Sequence, residues 1–191
     1  MENRKNNMLA LLFLGLAPAL AATAEAMSAC VLALGFLAVL VISSFVMFLL
    51  KKVVTDRNTR VIVAVVLTTM LSSVFGLLTE AFAVAVYDSI GLYISLLAVN
   101  LLVITLSEKM MDSEWKVSSL FILALLYGVV IVAVGMLREI LGLGTIFGNA
   151  VPFFADHTIA VFAKAPGAFI SAALVFGLVS YILGKTMKEA K

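Results

Sequence analysis

Six long apolar runs, at 8–23, 29–50, 61–86, 90–106, 117–137 and 167–183, limit the fold more than any other feature of the sequence. A helix needs about 17–25 apolar residues to cross ~30 Å of hydrocarbon. The runs meet that length, the first only narrowly. Charges or turn residues end each one: Lys51 to Arg60 is one polar break, and Ser107 to Lys116 is another. None of the runs alternates with period two, as the strands of a membrane barrel do. With 64% apolar and 13% charged residues over 191 positions, the chain carries more apolar surface than one small core can hide. The reading is an all-α integral membrane protein, a single six-helix domain over 1–191. The first run has a second reading: Arg4 and Lys5 precede an apolar stretch ending Pro18-Ala19-Leu20-Ala21-Ala22, the pattern of a secretory signal. Its removal would leave five spans, so it is taken as a span.

Charge in the short loops sets orientation. With six spans, one side holds Arg4, Lys5, Lys51, Lys52, Arg57, Arg60, Lys109, Lys116, Lys185, Lys188 and Lys191. The other side holds Arg138 and Lys164. Eleven against two places both termini in the cytoplasm, and omitting any one span would scramble the segregation.

A few polar or helix-breaking residues lie inside the runs. Pro18 has no N–H and clashes with the carbonyl of Leu14; with Gly15 beside it, it either kinks the first span or breaks it. Asn100 lies near the middle of the fourth span, where an amide bonds a neighbouring helix or lines a functional site. Glu80 is a carboxylate near the outer end of the third run, either a functional group or a hydrogen-bonded structural one. Arg138 and Glu139 close the fifth span, with Arg138 offering its fork to a carboxylate. The glycine-rich loop from Gly142 to Pro166 carries Phe153 and Phe154, which suit the membrane interface. Ala168 and Ala172, and Ala173 and Gly177, are small pairs at a spacing of four that let helices approach closely. One cysteine, Cys30, and one histidine, His157, rule out an internal disulfide or a His/Cys metal cage within the chain. No nucleophile with a base, no paired carboxylates and no nucleotide motif is visible, so the chain is not read as catalytic by itself, and no nucleic-acid partner is expected.

The segments Leu137-Arg138-Glu139-Ile140-Leu141-Gly142-Leu143-Gly144-Thr145-Ile146-Phe147-Gly148 and Ala165-Pro166-Gly167-Ala168-Phe169-Ile170 resemble signatures of the family that contains the E subunit of the Rnf electron-transport complex and the D subunit of the sodium-pumping NADH:quinone reductase. Weaker matches lie at 14–18 and 86–100, and Glu108 falls where the family has a glutamate after its fourth span. The resemblance implies two inverted three-helix repeats with the first and fourth helices broken at mid-membrane. It implies a complex in the cell membrane of a bacterium or archaeon that couples electron transfer to Na⁺ or H⁺ translocation. The implied partners are a sister six-span subunit and other Rnf/Nqr-type subunits.

The same resemblance implies a [2Fe–2S] cluster shared with the sister subunit, held here by one cysteine before the proline of the first span and one after the asparagine of the fourth. Those positions are Ala17 and Leu101, and neither can bind iron. Ser95 and Val99 also depart from the family's proline and threonine. The chain is then a relative that left electron transfer for a structural role, a part of a variant complex, or a version with its cysteines removed. Its expected share is scaffold, with Glu80 and Asn100 as candidates for an ion path. The rival readings are a small inverted-repeat transporter or channel and a non-catalytic membrane assembly protein.

The charge distribution yields a direct prediction. In a Cys30→Ser background, Lys52→Cys should react with an impermeant maleimide only from the cytoplasmic side, and Lys164→Cys only from outside. The reverse pattern would contradict the orientation.

Overall fold

A computed structural model describes residue 15 and residues 19–111, 117–155 and 158–189. Ala17, Pro18 and His157 lie outside the described residues. The first run contributes helix at Gly15 and at 19–21. Then follow α1 (Ala26–Leu50), α2 (Arg57–Phe82), α3 (Val84–Leu96), a 3₁₀ turn (Leu97–Val99), α4 (Leu101–Lys109) and α5 (Val117–Leu143). A two-stranded hairpin, β1 (Thr145–Ile146) with β2 (Asn149–Ala150), leads through the short helices α6 (Pro152–Ala155) and α7 (Ala160–Ala163) to α8 (Ala165–Glu189). Ala26–Leu50, Arg57–Phe82, Val84–Lys109 and Leu120–Leu143 are long and apolar enough to cross a bilayer, and Ala165–Leu178 is a shorter apolar stretch.

α1 is the central helix and packs on α5, α2, α3 and α4. Its Leu32, Phe36 and Leu40 form one core with Ile90 and Ile94 of α3, Leu102 and Leu106 of α4, Tyr127 and Ile131 of α5, and Ala168 and Ala172 of α8. The Phe36 and Tyr127 rings stack with centroids 3.7 Å apart. The spacing-of-four pair Ala168 and Ala172 therefore packs inward, whereas Ala173 and Gly177 face outward. α2 is two-faced by residue size: Ala64, Thr68, Ser72, Gly76 and Thr79 are buried, and Ile62, Val66, Met70 and Leu77 are exposed. Large apolar side chains turned outward and small ones turned inward suit a helix surrounded by lipid.

Two boundaries differ from the apolar runs. α2 and α3 meet at a single non-helical residue, Ala83 (φ −144°, ψ 59°), and α3 folds back along α2. The corner lies inside apolar sequence, so composition does not mark it. α5 continues past residue 137 to Leu143. Arg138 and Glu139 therefore sit within the helix rather than closing it, because both find polar partners there.

The span Val84–Lys109 is not one helix. After Leu96 the chain tightens into the 3₁₀ turn, and Asn100 is extended (φ −66°, ψ 114°) before α4 begins. In a continuous helix the Leu102 N–H would bond the Ala98 carbonyl. Here the Asn100 side chain takes that N–H (3.0 Å), and the Ala98 carbonyl accepts the Thr68 hydroxyl from α2 instead (2.9 Å). One turn earlier, the Ser72 hydroxyl donates to the Ile94 carbonyl (2.6 Å). Irregular backbone inside a span is tolerated only where protein satisfies it, and the small polar face of α2 supplies the donors.

Thr68→Val keeps the shape and removes the donor. It should lower stability by about 1 kcal/mol, measured by unfolding in detergent. Thr69→Val is the control, since the Thr69 hydroxyl serves the carbonyl of Val65 on an exposed face. Equal costs for the two would contradict the role of Thr68.

Candidate functional site

Polar groups gather at two places: the helix break and the C-terminal end of α5. At the break, Asn100 is buried and acts as the N-cap of α4, as an asparagine favours. Its Nδ2 donates to the carbonyl of Gly15 (2.9 Å) and to the Tyr127 hydroxyl (3.3 Å). The Tyr127 hydroxyl donates in turn to the same Gly15 carbonyl (2.7 Å). Gly15 fits because a Cβ there would lie 2.7 Å from the Leu102 Cβ and 3.0 Å from Asn100 Oδ1. The break in the span Val84–Lys109 is thus tied to the first apolar run and to α5 by three groups. Sequence reading singled out Asn100 but not Tyr127; a lone phenol inside an apolar helix was the available signal, since a buried hydroxyl takes a partner.

At the C-terminal end of α5, Arg138 and Glu139 are buried (1% and 2% exposed). Arg138 does not fork onto a carboxylate as expected. Its Nε donates to the Phe162 carbonyl (3.1 Å) and its Nη1 to the Leu20 carbonyl (2.9 Å) and the Thr23 hydroxyl (3.1 Å). Its Nη2 donates to the carbonyls of Ala163 and Lys164 (both 3.3 Å). A guanidinium has five N–H groups, and these contacts use them all. The receiving carbonyls lie at the ends of the helical turn at 19–21 and of α7, where helix dipoles leave partial negative charge. The approach depends on Gly142, where a Cβ would sit 2.6 Å from the Ala163 nitrogen.

Glu139 serves the opposite polarity. Its Oε2 accepts the Ala26 N–H (2.7 Å) at the start of α1, whose own N-cap residue, Glu25, makes no side-chain cap. Its Oε1 accepts the Thr145 hydroxyl (3.0 Å) and the Gly148 N–H (2.9 Å). That fixes the tight turn joining β1 to β2, where Phe147 (φ 49°) and Gly148 (φ 77°) both adopt left-handed backbone, as a two-residue hairpin turn of this hand demands. A phenylalanine in that conformation costs about 1–2 kcal/mol, which the carboxylate contacts offset.

The other candidates stand apart from these two places. Glu80 is exposed in the last turn of α2, away from Asn100. Glu108 lies at the opposite end of the bundle, 3.8 Å from Arg57. Leu101 is half-exposed beside the break and offers no donor atom. Cys30 is on α1 near the level of Ser28, which bonds Ser89 of α3; that is about three helical turns from Leu101. Among the described residues no three His, Cys, Asp or Glu side chains converge. The donor set at the break, an amide, a phenol and backbone carbonyls, does not fit a [2Fe–2S] cluster, which takes thiolates.

A profile of the family described as "Rnf-Nqr subunit, membrane protein" matches residues 2–176. The chain is 29% identical over 180 residues to the E subunit of the Na(+)-translocating ferredoxin:NAD(+) oxidoreductase complex of Acetobacterium woodii, covering 93% of this chain and 91% of that one. It is 31% identical over 194 residues to the E subunit of the ion-translocating oxidoreductase complex of Shewanella frigidimarina, covering 93% and 84%. It is 30% identical over 202 residues to the protein of that same description from Cellvibrio japonicus, covering 97% and 84%.

Arg138→Lys leaves three donors for five acceptors and should cost about 3 kcal/mol. Glu139→Gln turns an N–H toward donors and should cost about 2 kcal/mol. Thermal unfolding in detergent measures both, and a change within about 0.5 kcal/mol for either would contradict the assigned contacts.

Proposed function

The chain belongs to the Rnf-Nqr family of membrane subunits, and from that premise we propose that it is a membrane subunit of an ion-translocating oxidoreductase complex. It is a multi-pass membrane protein, as its spanning helices require. The observation carrying the proposal is the match across nearly the whole chain, which includes the segments that build the outer clasp (137–148) and the break (86–100). The complex couples electron transfer to movement of Na⁺ or H⁺. Its other members, including a sister six-span subunit, supply the flavins and iron–sulfur centres.

This chain's share is scaffold and part of the ion path, without a cluster ligand of its own. Leu101 supports that share, since it presents an apolar side chain where a ligand would be needed. The broken fourth helix supports the inverted repeat, in which the first span breaks near Pro18. The orientation has both termini in the cytoplasm. The burial of Arg138, whose N–H groups are all used inside the chain, strengthens it by leaving Lys164 as the loop cation of the outer side. Within the ion path, Glu80 stands on the outer surface and Asn100 at mid-span, so a route through both would also need residues of a neighbouring subunit.

Purification of the tagged chain from its native membranes in mild detergent tests the proposal. Flavin- and iron-bearing subunits should co-purify, identified by mass spectrometry and iron assay. Recovery of the chain alone would contradict it, and specific uptake by that lone chain in liposomes would indicate a transporter instead. Within the complex, Glu80→Gln should impair ion pumping without reducing assembly; pumping at the unmodified rate would remove Glu80 from the path.

A further inference from the structure

At the end of the bundle opposite the Arg138 clasp, the α1–α2 connection and the ends of α2 and α4 enclose a recess of about 300 Å³ lined by Thr55, Arg57, Arg60, Glu108 and Lys109. We propose that this recess binds the phosphate of an anionic phospholipid headgroup at the membrane surface.

Three cations face the recess against one carboxylate, and Lys51 and Lys52 lie in the same connection. Asp56, the N-cap of α2, accepts the Thr59 N–H (3.2 Å) and hydroxyl (3.1 Å) and adds a second negative charge, still fewer than the five cations of the connection and the recess together. The wall is built in advance. The Arg60 Nε donates to the Val54 carbonyl (3.3 Å), which holds the half-buried guanidinium in place. Arg57, with its side chain 84% exposed, approaches Glu108 only to 3.8 Å, so it can swing onto a phosphate at little cost. The α2 N-terminus adds partial positive charge beside it.

Position selects a lipid. Arg57 is the first residue of α2, and Glu108 and Lys109 are the last two of α4, so the recess lies where the hydrocarbon layer ends. Val61 and Ile62, the next residues of α2 on its way into the bilayer, are exposed and apolar and give acyl chains a surface continuous with the headgroup site. Basic pockets between spans at this level suit anionic headgroups. The proposal rests on the multi-pass reading alone and not on the partner subunits.

Native mass spectrometry of the full chain in detergent, supplied with equal phosphatidylglycerol, cardiolipin and phosphatidylethanolamine, is the test. The two anionic lipids should be retained in preference. Arg57→Gln and Lys109→Gln should each weaken that retention about five-fold, as for one cation near an anionic surface. Glu108→Gln should strengthen it, a gain that loss of folding cannot produce. Equal retention of the three lipids would overturn the proposal, as would variants that leave the preference unchanged. Full displacement of the anionic lipid by inorganic phosphate at the same concentration would assign the recess to the free anion and overturn the lipid.

Discussion

Inside a bilayer every backbone N–H and C=O must find its partner within the protein, and the fold turns on how that is met where the span Val84–Lys109 stops being a helix. Between Leu96 and Leu101 the regular ladder lapses. The replacements come from different elements: the Asn100 side chain for one N–H and Thr68 of α2 for one carbonyl, with Ser72 of α2 adding a bond to the Ile94 carbonyl, which keeps the Leu97 N–H, and Tyr127 of α5 joining Asn100 on the carbonyl of Gly15. The break is therefore a junction, at which the first apolar run, α2 and α5 are tied to the span Val84–Lys109 by polar contacts among otherwise apolar neighbours.

The C-terminal end of α5 meets a related constraint with full charges. Burying an isolated guanidinium or carboxylate is costly unless its hydrogen-bonding capacity is met. Arg138 and Glu139 are adjacent on one helix and so point in directions about 100° apart. Each meets the ends of helices rather than the other. The cation takes carbonyls at helix C-termini; the anion takes the first N–H of α1 and the hairpin turn. Complementarity to helix dipoles lets two neighbouring charges organise the segments at 20–26, 145–148 and 162–164 into one cap.

Much of this was legible in the sequence. Apolar run length marked the four helices long enough to cross a bilayer, and the resemblance of 137–148 marked the family. Asn100, Arg138 and Glu139 stood out because polar groups are rare in such surroundings. The corner at Ala83 was hidden, because composition does not change where an apolar chain reverses direction between two packed helices. The partners of Arg138 were misjudged for a similar reason: backbone carbonyls have no sequence signature, whereas a carboxylate does. Tyr127, Thr68 and Ser72 were missed because an aromatic or small hydroxyl residue in a span reads as ordinary packing until the carbonyl it serves is known. The spacing 64, 68, 72, 76 of small residues on α2 was the trace of that arrangement.

The central claim is that Asn100 and Tyr127 act as one unit on the carbonyl of Gly15, and a double-mutant cycle measures it most directly. Asn100→Ala, Tyr127→Phe and the double variant would be compared by reversible unfolding in detergent. A shared acceptor predicts a coupling of about 0.5–1.7 kcal/mol, the range of hydrogen bonds between membrane helices. Additive costs, agreeing within about 0.3 kcal/mol, would mean that the two side chains act separately and that the junction does not hold the spans together.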